Sequence, residues 1–203
     1  MIPIEIFTDV SLSGNLRCSS SELCKVAAST TSPYVALFLK PVAFTPGYRC
    51  YERMLEVAEH AGAAMLYADR WEQRTDAEGK LSSPQLHPVI DCQEGSLRDD
   101  FDFGGLWLVR GDLLREYAAT TKKLYLYAAI YDLRLFLSRK GKIIHLREPL
   151  YTETEKDLRK SGERQFDYVN PNALEVQKEM EDAVTRHLKA IGAWVPAPEK
   201  DNV

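Results

Sequence analysis

Three observations predict an α/β fold with a mostly parallel sheet flanked by helices. Strand-type and helix-type segments alternate through the first 146 residues, the pattern of layered α/β architectures. Tyr34 to Leu39 is apolar without a break, as interior strands buried on both faces of a parallel sheet are. Val176, Met180, Val184, Leu188 and Ile191 lie on one stripe at helical spacing, which adds a C-terminal helix.

Ile2 to Phe7 reads as the first strand, stopped by Thr8-Asp9 and a loop of Ser, Gly and Asn. Ser21 to Ser29 suits a short helix, and Tyr34 to Leu39 the next strand. Thr45-Pro46 has the form of a helix entry with proline at the first position; Tyr51, Met54, Leu55 and Ala58 continue the period until Gly62. Ala63 to Ala68 follows as a strand, and the polar stretch from Glu72 to Pro88 reads as a surface loop. Gly105 to Val109 is strand-like and Asp112 to Thr121 helix-like; Ala128 to Arg139 is a helix ending at Gly141, before a strand from Ile143 to Leu146. The last helix opens at Asn170-Pro171 and closes at Gly192. Residues 1–203 therefore read as a single domain with a helical appendage over about 170–192.

A net charge of −4, 45% hydrophobic residues and 28% charged residues are ordinary for a globular chain. With no basic run longer than Arg139-Lys140-Gly141-Lys142, a nucleic-acid footprint is not expected. No apolar run approaches the roughly 18–20 residues that cross a bilayer. The N-terminus also lacks the order of a signal peptide, so a cytoplasmic setting is expected. Cys18, Cys24, Cys50 and Cys92 form no C-x-x-C pair, and His60, His87, His145 and His187 no zinc spacing. Reduced thiols and no metal centre are the expectation.

In an open α/β sheet, ligands collect beyond the carboxyl ends of the strands. Those ends are Thr8-Asp9, Lys40-Pro41, Asp69-Arg70 and the stretch after Pro88. The last of these, Asp91 to Gly105, sets Asp91, Glu94, Asp99, Asp100 and Asp102 around Arg98 with aromatic residues interleaved. It is the densest polar cluster in the chain and the leading candidate for a substrate-facing loop, against the plain alternative of a solvated acidic surface. Trp71, Trp107 and Trp194 read as core or rim residues.

The runs "SPYVALFLKPVAFTPGYRCYERMLEVAEHAGAAMLYADRWE", "FDFGGLWLVRGDLL" and "YDLRLFLSRKGKIIHLREPLYTETEKDLRKSGE" resemble a family 2 glycosyltransferase of the GT-A type over roughly residues 2–165. More narrowly, "SLRDDFDFG", "LYTETEKDLRKSGE" and "FDYVNP" resemble the N-terminal domain of bacterial, Bacteroides-type two-domain glycosyltransferases. The resemblance implies a GT-A-like sheet and transfer of a sugar from a nucleotide-sugar donor to a glycan acceptor in polysaccharide biosynthesis. It also implies an adjacent glycosyltransferase domain and a cytoplasmic location peripheral to the inner membrane. The alternative is a catalytically degenerate GT-A-like module that binds or docks beside an active transferase.

Carried onto this chain, the resemblance puts Thr8 and Asp9 against the base and ribose. The family's D-x-D, which holds Mg²⁺ or Mn²⁺, falls at Lys40-Pro41-Val42, where the carboxylates are missing. A lysine cannot ligate those cations, although Lys40 could meet a diphosphate as a point charge. Asp69 is then the remaining candidate for a metal or sugar contact. Asp91, Arg98, Asp100 and Asp102 would line the nucleotide-sugar cleft, and Arg159-Lys160 would form a basic loop over the diphosphate. Of the family's E-D-x-D-L helix only Asp132 is retained in Ala129-Ile130-Tyr131-Asp132-Leu133, as catalytic base or as a carboxylate that orients Arg134 or the Arg159-Lys160 segment.

Overall fold

The computed structural model describes residues 4–8, 19–40, 42–76, 78–156 and 173–196. In chain order the elements are β1 (Ile4–Thr8), α1 (Ser20–Ser29), β2 (Tyr34–Phe38), β3 (Ala43–Pro46), α2 (Cys50–Ala61) and β4 (Met65–Thr75). They continue with β5 (Gln85–His87), β6 (Leu106–Arg110), α3 (Gly111–Thr120), α4 (Ala129–Ser138), β7 (Ile143–Lys156) and α5 (Ala173–Ala190). One sheet runs β1-β2-β6-β4-β7-β3, with β5 attached to β4.

This sheet is mixed, which corrects the expectation of a mostly parallel GT-A arrangement. Among the described residues, only β1 with β2 and β4 with β7 pair in parallel. The pairings β2 with β6, β4 with β6, β3 with β7 and β4 with β5 are antiparallel. The cause lies in the connection. A parallel neighbour requires a crossover, usually a helix, that carries the chain back to the starting end. Between β4 and β6 the chain instead turns through the short hairpin strand β5 and then an irregular path, with no helix among the described residues. It enters β6 beside the end of β2, where Leu106 pairs with Phe38, and runs the opposite way.

Helices cover both faces, and the strands alternate between them. Val35 and Leu37 of β2, Met65 and Tyr67 of β4, and Trp107 and Val109 of β6 face one core, with residues of α1, α3 and α4. Ala36, Phe38, Leu66, Ala68, Leu106 and Leu108 face the other, against Cys50, Met54, Leu55 and Ala58 of α2. Such period-two division lets a continuous apolar run serve two cores at once. Helix α5 packs on α4, but the buried residues of its last turns are Ala183 and His187, with Met180 and Val184 beside them. Ile191, at the end of the predicted stripe, is exposed.

Within Glu72 to Pro88, expected as a surface loop, β4 instead continues to Thr75 and pairs with β5 across a hairpin; β3 and β7 also differ from the reading of the sequence, for local reasons. Thr45-Pro46 closes β3 instead of opening a helix. Among the described residues β3 pairs only with β7, and an edge strand tolerates a proline that cannot donate. β7 extends to Lys156, far beyond Leu146, because it passes Pro149 through an irregularity. Its register against β4 shifts between Ala68 and Asp69 and again between Asp69 and Arg70, so that Asp69 faces Pro149 and Arg70 faces Tyr151. Bulges are where a strand can accept proline. No helix among the described residues is long and apolar enough to cross a membrane.

Candidate ligand-binding cleft

The path from Ser96 to Gly105 is held over the end of β2 by side chains of α4. Tyr131 and Arg134, three residues apart and therefore on one helix face, reach its carbonyls. The Tyr131 hydroxyl donates to Leu97 O at 2.6 Å, and Arg134 donates to Ser96 O at 2.6 Å and Arg98 O at 2.7 Å. Along Phe101-Asp102-Phe103 the two rings pack together, with centroids 4.3 Å apart. Phe103 meets Tyr67 edge-on at 5.0 Å and Trp107 at 5.5 Å, geometries that aromatic pairs favour. Between this segment, Leu39 and Lys40 after β2, Trp107, α4 and Met180 of α5 lies a cleft of about 430 Å³.

An ionic cluster centred on the buried pair Arg70 and Glu153 borders the cleft through Lys40 and Asp102. Arg70 (side chain 3% exposed) donates to Glu72 at 2.7 Å and Asp102 at 2.9 Å, and lies 3.3 Å from Glu153 (2% exposed). Lys40 closes the set on Glu153 at 2.9 Å. Burial works against the Arg70 charge, but Asp102, Glu153 and Glu72 together hold its pKa above the usual value. Burial likewise pushes the Asp102 carboxyl up, and the Arg70 guanidinium and the Gly104 N–H outweigh it and keep its pKa low. Gly104 and Gly105 are required here. A side chain on Gly104, whose φ is +68°, would fall 2.3 Å from the Tyr151 hydroxyl, and one on Gly105 would fall 2.8 Å from Glu153. The Gly105 N–H can thereby donate to Glu153 at 2.8 Å.

A second polar group forms at the β7 irregularity. His145 is flanked by two carboxylates, Asp69 at 2.9 Å from Nε2 and Asp91 at 2.7 Å from Nδ1, and stacks on Tyr67 with centroids 4.9 Å apart. Asp69 also accepts the Val89 N–H at 2.8 Å. Asp91 pairs with Arg147 as well. The Arg147 hydrogen bond, then that of His145, lowers the Asp91 pKa to about 2. This group pins residues 89–91 to the sheet.

The residues predicted from the sequence thus divide. Lys40, Arg98, Asp100 and Asp102 line the cleft, while Asp69 and Asp91 belong to the His145 group. The Arg98–Asp100 pair is exposed on both sides, 62% and 70%, where ion pairs contribute little. Asp132 does not line the cleft. It is buried among α3, α4 and α5, accepts from the Tyr117 hydroxyl at 3.0 Å, and lies 3.7 Å from Arg186; burial raises its pKa. Arg134 is engaged by carbonyls, not by Asp132. Thr8 ends β1 with its backbone beside Phe38, at the same end of the sheet as the cleft. Asp9, Arg159 and Lys160 lie outside the described residues. Among the described residues no group of three or more His, Cys, Asp or Glu side chains is arranged to hold a metal ion.

Sequence reading missed Arg134, Trp107 and Tyr131 as cleft residues. The available signal was Arg134 itself, a cation inside the otherwise apolar run Leu133 to Leu137. It is 3% exposed and needs buried acceptors.

Fold and cleft define an α/β protein with a mixed, helix-covered sheet and an aromatic cleft at one end of that sheet. No protein-family model matches the chain, and no curated protein matches its sequence. The glycosyltransferase resemblance is therefore corrected. The order of short motifs is not accompanied by the mostly parallel sheet, and nothing in the comparisons supports sugar transfer or a degenerate module of that family. The polysaccharide and bacterial setting that the resemblance implied loses its basis with it.

Proposed function

We propose that the protein binds a small organic molecule carrying a planar ring in the cleft beside Trp107. The observation that carries this reading is Trp107 itself. It is 4% exposed, lines the cleft, and its buried Nε1–H has no acceptor among the described residues. A buried donor left unpaired costs about 1–3 kcal/mol, which an acceptor atom on a ligand would offset. A volume of about 430 Å³ falls in the usual range for small-molecule sites, and Phe103, Tyr127 and Tyr131 supply flat walls. Binding is favoured over catalysis. No histidine, cysteine, serine or threonine is among the described residues that line the cleft, and the Lys40 amine is held by Glu153. The free thiols of Cys24, Cys50 and Cys92 support a reducing, cytoplasmic setting for this activity.

The test is titration of the protein with single-ring aromatic compounds, read by tryptophan fluorescence and calorimetry. Saturable binding is expected. Trp107→Phe, which keeps a ring and removes the donor, should weaken it by about tenfold. Equal affinity in the variant, or no binding by any ring compound, would refute the reading.

A further inference from the structure

Resting on that reading, we infer that the ligand is a zwitterion of the aromatic amino-acid type, its carboxylate on Arg134 and serving as the acceptor for the Trp107 Nε1–H, its ammonium on Asp99 and its ring against the aromatic wall of the cleft. Most of the charges that line the site already have partners. Lys40 is engaged by Glu153, Arg98 by Asp100, and Asp102 by Arg70. Two charged side chains of the cleft remain, one of each sign.

Arg134 is the cation. Its guanidinium is buried, with no carboxylate of the described residues within ion-pair distance; two backbone carbonyls take two of its five N–H groups. It also lies over the rings of Tyr131, at 5.0 Å, and Phe103, at 5.8 Å, so an anion bound to it would sit beside a flat apolar surface. Burial lowers the Arg134 pKa, the direction expected for a cation that lacks a counter-ion. A bidentate carboxylate is the partner that guanidinium geometry favours.

Asp99 is the anion. It lines the same cleft, is exposed, and among the described residues makes neither a hydrogen bond nor an ion pair within 4 Å, yet its field reaches both Tyr131 and Arg134. A group that binds Arg134 therefore lies within the influence of Asp99. With Asp99, Asp100 and Asp102 on one short segment, a dianion such as a phosphate monoester is opposed, whereas a carboxylate with an ammonium beside it is matched on both charges.

The experiment compares L-phenylalanine, 3-phenylpropionate, phenethylamine and benzyl alcohol by calorimetry on the intact chain. L-Phenylalanine is expected to bind about tenfold more tightly than either singly charged analogue. Asp99→Asn, at an exposed position with no hydrogen bonds to lose, should erase the advantage over 3-phenylpropionate while leaving 3-phenylpropionate itself bound at least as well. Arg134→Lys should erase the advantage over phenethylamine, with urea denaturation confirming that the variant is folded. If either singly charged analogue or benzyl alcohol matches L-phenylalanine, or if Asp99→Asn leaves the ranking intact, the zwitterion inference is overturned while the cleft survives as a ring-binding site. If none of the four binds but other ring compounds do, the inference also fails alone. If no ring compound binds, both fail together.

Discussion

Replacing Glu179 by alanine removes the acceptor that serves three backbone N–H groups ahead of α4. The Glu179 carboxylate accepts from Leu126 at 3.1 Å, Tyr127 at 2.6 Å and Ala128 at 3.0 Å. Ala128, the N-cap residue, has no side chain that could do so. The cap of α4 is thus supplied by α5, fifty residues along the chain. Loss of an N-cap acceptor costs about 1 kcal/mol, up to about 2, and loss of a negative charge at a helix N-terminus about 0.3–1 kcal/mol more. Glu179→Ala should therefore cost about 2 kcal/mol, seen as a lower urea midpoint at unchanged slope. For a chain of this size, thermal unfolding should fall by about 4–8 °C. Glu179→Gln keeps an acceptor and loses the charge, so its cost should be under about 1 kcal/mol. An alanine variant within about 0.3 kcal/mol of wild type would refute the cap and, with it, the docking of α5 on α4.

Arg70→Met would leave Glu153 buried with Lys40 and the Gly105 N–H as its remaining partners, at a cost of about 3–5 kcal/mol; the double variant Arg70→Met, Glu153→Met should recover much of that loss in urea denaturation, and a single-variant cost below about 1 kcal/mol would contradict the cluster. Asp91 provides a pH test. Its folded pKa of about 2 lies below the usual carboxylate value of about 3.9, so its contribution is present above that value and is lost as pH falls towards 2. Asp91→Asn should therefore lose less stability than wild type between about pH 4 and 2, and parallel profiles would show that Arg147 and His145 do not act on it.

Much of the fold was legible where a residue's role is set by its near neighbours. The period of Met54, Leu55 and Ala58 in α2 and the unbroken apolar run of β2 each report burial directly. Strand direction is not local. Nothing in Leu106 to Arg110 states which way it enters the sheet; that follows from the path taken after β5, whose composition constrains it only weakly. The strand read over Ile143 to Leu146 runs on to Lys156 because of an irregularity that accommodates Pro149 and exists only when β4 lies beside it. The cleft was partly legible in the same sense. The density of charge from Asp91 to Asp102 marks a special segment. Its orientation depends on Arg134 and Tyr131, more than thirty residues away, which bind carbonyls that every residue possesses. The ordered motifs behind the glycosyltransferase resemblance were sensitive to sequence order and blind to register.

The position of β6 between β2 and β4 has a consequence for how the chain reaches this state. During synthesis, β2 and the apolar half of β4 emerge well before the strand that joins them, and each presents open backbone groups beside fully apolar side chains. Such edges template pairing with other chains, and closing the long segment between Phe38 and Leu106 must precede any gain from the central ladder. A nascent chain halted before Leu106 is therefore expected to be the aggregation-prone species, and release of β6 from the ribosome the event that ends its exposure.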